Sequence, residues 1–148
     1  MPRARTALLA ALLALPAFAP ASEAAMFSKT YVFKPDTTLE IGVEVESGLR
    51  LDTVRFDLPA TADGKVVRTA GLVQARVALS NTSGGARKVG FAVALYDDEN
   101  RLLGVASCGI GLFPLKSGRQ GTYSCTFENV NAEIPRATKF QITIEPKP

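Results

Sequence analysis

Two cysteines, one acidic turn and three spaced glutamates are the residues of this chain whose types could do chemistry. Cys108 and Cys125 are an even pair, and in a chain that leaves the reducing cytosol such a pair defaults to a disulfide, two buried free thiols being the alternative. A redox-active pair is disfavoured, because reactive cysteines sit at CxxC-type spacing or in a cationic, accessible setting. Asp97, Asp98, Glu99 and Asn100 gather oxygen ligands of the kind calcium takes. A calcium loop, however, alternates its ligands over about a dozen residues and closes on a later Glu, which is missing here. The four residues therefore read as a solvated hairpin turn, and no metal or cofactor is expected. Glu40, Glu44 and Glu46 form an acidic strand face that could meet a basic partner, or simply discourage edge-to-edge pairing.

The chain has no histidine. Ser-His-Asp and Cys-His triads are excluded, as are histidine-containing zinc sites. Ser117 beside Lys116 reads as loop chemistry rather than a nucleophile and its base. The expectation is a protein that is not an enzyme.

The elements that must position these residues are strands. Val89, Phe91, Val93 and Leu95 alternate with Gly90, Ala92, Ala94 and Tyr96, the two-residue period of a strand with one buried face. After the acidic turn the chain returns over residues 102–112, with Ala106, Cys108, Ile110 and Leu112 in one phase and Gly104, Gly109 and Gly111 marking bends or close approaches. Leu39, Ile41, Val43 and Val45 alternate with Glu40, Gly42, Glu44 and Glu46, and Ser47-Gly48 reads as a hairpin turn. The apolar phase then slips between Leu51 and Val54, which predicts a bulge near Asp52 or Thr53. Residues 59–65 read as a surface loop. Val73, Ala75, Val77 and Leu79 make a further strand, as do Tyr123, Cys125 and Phe127, and Phe140, Ile142 and Ile144, the last expected to end at Pro146. No stretch holds apolar residues at helical period. An all-β antiparallel sandwich of about seven to nine strands follows.

Val93-Ala94-Leu95-Tyr96-Asp97 follows a strand that ends in Ser80-Asn81-Thr82-Ser83 and precedes Leu115-Lys116-Ser117-Gly118. In this succession the chain resembles the FxLYD domain family over residues 72–145. Val93 stands where the family has Phe, and Ser117 where Pro is common. The resemblance implies an immunoglobulin-like β-sandwich of bacterial extracytoplasmic proteins, with Val93, Leu95, Tyr96 and Asp97 as structural motif residues and no catalytic group. Asn81-Thr82-Ser83 also fits a glycosylation acceptor by pattern, and in a bacterial reading is only a turn.

At the N-terminus, Arg3 and Arg5 precede an apolar run over residues 7–15 and then small residues, the three-part layout of a secretory signal peptide. Cleavage is expected after Ala21, or alternatively after Ala24. The run is shorter than the roughly 20 residues that span a bilayer, so no transmembrane anchor is expected in the mature chain. Residues 22–148 then form a single domain. Removing Arg3 and Arg5 lowers the formal charge from +3 to about +1, and the remaining Lys and Arg are scattered, so no nucleic-acid footprint remains.

These readings converge on an exported, periplasmic or secreted, non-catalytic binding or accessory domain whose partner is another extracytoplasmic protein. A structural subunit of an envelope or surface assembly is the alternative, followed by a small-ligand carrier or enzyme. Tyr96, Phe113, Glu40, Glu44 and Glu46 are the candidate partner surface.

Overall fold

The computed structural model describes residues 26–59, 61–62, 65–66, 72–109, 114–128, 130 and 132–147. The signal-peptide reading of residues 1–21, and the placements of Ile110, Gly111, Leu112 and Phe113, fall outside the described residues. Ten strands appear in chain order: β1 Phe27–Val32, β2 Thr38–Glu46, β3 Leu49–Asp57, β4 Thr61–Ala62, β5 Lys65–Val66, β6 Val73–Asn81, β7 Lys88–Tyr96, β8 Leu102–Gly109, β9 Arg119–Phe127 and β10 Lys139–Lys147. A single 3-10 turn, Ile134–Arg136, precedes the last strand. The short β4 and β5 pair with each other inside the segment expected to be plain loop, and Pro59 at its entrance is buried.

The eight long strands make two antiparallel sheets. Sheet I has the order β1-β10-β7-β8 and sheet II the order β2-β3-β6-β9. The two-layer architecture is shared with immunoglobulin-like domains, while the strand order is its own. Here the first strand pairs with the last, whereas in a constant-type immunoglobulin domain the first two strands are neighbours.

Alternation fixes which side chains enter the core. On β6, Val73, Ala75, Val77 and Leu79 are fully buried, and facing them from sheet I are Val93, Leu95, Phe140, Ile142 and Ile144. Phe56 of sheet II lies 4.9 Å from Phe140 and 4.8 Å from Phe33, ring centroid to ring centroid in edge-on contacts, so aromatic packing joins the layers. The expected bulge falls at Asp52, where the β3–β6 register shifts between Leu51 and Thr53. That extra residue explains the phase slip, because it returns Val54 and Phe56 to the core face.

Strand β10 continues through Pro146, which pairs with Val89 and is buried. The expected end at this proline is thus corrected. Pairing with β1 begins only at Ile144, so at Pro146 the strand is locally an edge, and a missing N–H is tolerated there.

Candidate interaction surface

The ionisable group that departs most from expectation is Asp97, placed by its sequence in a solvated turn and in fact 1% exposed. It closes β7, and its carboxylate turns back under the β7–β8 turn. Oδ1 accepts from the Arg101 backbone N–H at 2.8 Å, while Oδ2 accepts from Arg101 Nε at 2.8 Å and from Arg136 Nη2 at 3.0 Å. Arg136, on the 3-10 turn, also meets Glu133 at 2.7 Å, and Arg101 meets Glu99 at 3.1 Å. Burial by itself would raise the Asp97 pKa, but the Arg101 side chain and N–H together with Arg136 hold it below the ordinary carboxylate value. The carboxylate is saturated by donors and positively charged neighbours, which makes it a structural tie and a poor cation ligand. Among the described residues no group of three His, Cys, Asp or Glu side chains is placed to hold a metal ion. Asn100, the turn residue expected to accept left-handed backbone, has φ 63°.

The opposite end of the sandwich is organised by Asn81, which is fully buried. Its Nδ2 donates to the Gly85 and Leu115 carbonyls at 2.9 and 2.8 Å, and its Oδ1 accepts from the Ser83 backbone N–H at 3.0 Å. Gly118 N–H donates to the Asn81 carbonyl at 2.7 Å. The Asn81-Thr82-Ser83 turn and the Leu115–Gly118 loop thus form one polar knot. Because the amide nitrogen is committed and enclosed, Asn81 cannot act as a glycan acceptor. Ser117 donates its hydroxyl to the Ser83 carbonyl.

Cys108 and Cys125 form the disulfide, with Cα atoms 4.8 Å apart. It links the edge of sheet I, β8, to the edge of sheet II, β9, and so closes one side of the sandwich.

On β2, Glu40 and Glu44 are both exposed and alternate with the half-buried Leu39, Ile41, Val43 and Val45, while Glu46 at the strand's end is half-buried with one oxygen enclosed. Glu44 accepts from the Gly48 N–H at 3.0 Å. Gly42, with a φ of +63°, marks a register shift between Glu40 and Val43 without disturbing that alternation. Tyr96 stands on the outer side of its sheet, where its hydroxyl donates to Gln141 Oε1 at 3.2 Å.

The two outer faces differ in kind. On sheet II, Arg55 and Arg76 both pair with Asp57, at 2.7 and 2.5 Å, and Asp52 pairs with Arg50 while accepting from Ser80 and Gln120. That face is a lattice of paired charges. On sheet I the strand register sets the outward residues in rows. Val32, Lys139, Tyr96 and Leu102 form one row, then Thr30, Gln141, Ala94 and Val105, then Ser28, Thr143, Ala92 and Ser107, and finally Glu145, Gly90 and Gly109. The two middle rows carry no charge. Val32, Leu102 and Val105 on this face are 63%, 56% and 54% exposed, unusual values for large apolar side chains in strands. A hollow of about 280 Å³ opens beside Gly90, Ala92 and Thr143, bordered by Met26 and Glu145. The run of small residues at the outward positions Gly90, Ala92 and Ala94 is the one sign of this face in the sequence.

The chain matches no family model, no curated protein and no solved structure.

Proposed function

We propose that this protein is an exported, non-catalytic binding or accessory domain that works by protein contact through the outer face of sheet I. The observation that carries the reading is the contrast between the faces: the arginines at the centre of sheet II are paired with Asp52 and Asp57, whereas sheet I exposes Val32, Leu102 and Val105 beside two uncharged rows. Leu102 and Val105 lie together on β8 and Val32 on the opposite edge strand, with the uncharged rows between them, and this stretch of low charge supports a contact surface. The export reading draws on the N-terminal layout of the sequence and on the inter-sheet disulfide, a bond that persists in oxidising compartments. Among the described residues no helix is long and apolar enough to cross a membrane.

The FxLYD resemblance belongs to the same reading. It is supported by the structural roles of its motif residues: Val93 and Leu95 in the core, Asp97 as a buried tie, and the Asn81 turn joined to the Leu115–Gly118 loop. Asp97 and Ser117 are engaged in structural hydrogen bonds.

Mild cross-linking in the native envelope or medium, followed by mass spectrometry, tests the proposal. A stoichiometric protein cross-linked through Lys88 or Lys139, at the two ends of the face, is the expected result. Recovery of the uncross-linked monomer alone overturns it and directs attention to small ligands.

A further inference from the structure

We infer that the partner on the outer face of sheet I is a second copy of the same chain, packed face to face about a two-fold axis that runs across the strands between the Gln141 and Thr143 rows. The inference rests on the reading of that face as a contact surface. An axis of this kind keeps each strand over its own counterpart and inverts the order of the rows. The first row then lies over the fourth, and the second over the third.

Three features of the face, the last two of which share Gly90, are complementary under that operation. The first is charge: on β10 the outward residues run Lys139, Gln141, Thr143, Glu145, so Lys139 of each copy stands opposite Glu145 of the other, with neutral residues between. Lys139 already donates to Asn100 Oδ1 at 2.8 Å and to the Asp98 carbonyl at 3.4 Å, which leaves its ammonium one further donor to offer. The second is shape. The bulky Tyr96 and Leu102 of the first row lie over Gly90 and Gly109 of the fourth, so large side chains meet residues with none. The hollow of about 280 Å³ beside Gly90 is the space into which the Tyr96 ring of the other copy fits. The roughly 30° angle at which twisted sheets stack is taken up by the long side chains at the ends of β10.

The third feature is Gly90 itself. It has no positive φ, and a Cβ built on it meets nothing nearer than Glu145 Oε2, at 4.0 Å. Nothing within the chain calls for glycine here, and glycine weakens a strand interior unless another surface approaches closely. A second copy supplies that surface.

Size sets the strength. Four strands about 4.8 Å apart, with rows spanning about 20 Å along them, give a footprint of about 400 Å² on each copy, or about 800 Å² in all. That is below the roughly 1,000 Å² of a stable specific interface, so only a weak, concentration-dependent dimer is expected.

The experiment is sedimentation equilibrium on the exported form recovered from cells expressing the full chain, from about 1 μM to 1 mM, the range that brackets weak dimers. A monomer–dimer equilibrium is expected. Gly90→Val fills the hollow but fits the monomer, so it should weaken association at least tenfold, about 1.4 kcal/mol, with an unchanged or raised thermal midpoint. Lys139→Glu should weaken association as well, and combining it with Glu145→Lys should restore it. A wild-type protein that stays monomeric throughout, or a dimer indifferent to both Gly90→Val and Lys139→Glu, overturns the inference. If the monomer is instead cross-linked in the envelope to a different protein through the same face, self-association fails while the contact-surface reading stands.

Discussion

A carboxylate can be buried at Asp97 because a backbone N–H and two guanidinium groups converge on its two oxygens. Removing its charge would leave Arg101 and Arg136 facing each other across an uncompensated site, a costly arrangement. The sign of the pH effect follows from the lowered pKa. Folding favours the ionised form, so the stabilisation is complete above the unfolded-state carboxylate pKa and is lost as pH falls through the lower folded value. Urea denaturation from pH 7 down to pH 2 should therefore show a loss of stability confined to the acid limb. In an Asp97→Asn variant the neutral-pH midpoint should drop and this limb should flatten, whereas an unchanged acid limb would assign the effect to other groups. Asn81 is the neutral counterpart at the other end. There an amide replaces the ion pair, and its hydrogen bonds to Gly85, Leu115 and Ser83 join loops that no strand connects.

At the level of elements, the β8–β9 disulfide joins two edge strands that share no backbone ladder. A closed loop of 17 residues limits the unfolded chain by about 3 kcal/mol on the chain-entropy estimate. Intact mass of the unreduced protein should fall about 2 Da below that of the dithiol. Replacing both residues, Cys108→Ala with Cys125→Ala, should lower unfolding stability by about 2–4 kcal/mol in urea titrations, and no loss would mean that packing alone closes this side. The alternation of β6, β7 and β10 was legible in the sequence, because a period of two in apolar residues has a single structural meaning. The Asp52 bulge was legible for the same reason, as a break in that period. Asp97 was not, since its burial depends on Arg136, which lies 39 residues away and reaches it only through the fold. Pro146 misled because a strand that loses one neighbour before its end can admit a proline. The alternation of β2 was legible up to Val45, whereas the bulge at Gly42 was not, because it shows only in the pairing with β3. The rows of sheet I were out of reach, because they exist only once β1, β10, β7 and β8 are set in register.

For the whole molecule, protection should follow position in the sheets. The inner strands β3, β6, β7 and β10 carry most of the fully buried side chains, while β2 presents only half-buried ones along an irregular edge. Native-state hydrogen exchange should find the slowest amides on β6, β7 and β10 and markedly faster ones on β2. Equal protection on β2 and β6 would mean that the sandwich opens as one unit. The division of labour between faces belongs to this scale too. Sheet II pairs Arg50, Arg55 and Arg76 with Asp52 and Asp57, and sheet I exposes Val32, Leu102 and Val105.

The pairing of β1 with β10 has a consequence for how the protein is made. Synthesis delivers the chain from its N-terminus, and β10, the last described strand, lies inside sheet I between β1 and β7. Until it emerges, β1 has no ladder, and the core lacks Phe140, Ile142 and Ile144. A nascent chain can pair the strands of sheet II and the β7–β8 hairpin but cannot complete sheet I, and folding waits on the longest-range ladder among the described residues, the kind that closes slowly. On the proposed export reading, that delay gives the chain an interval in which to cross a membrane unfolded.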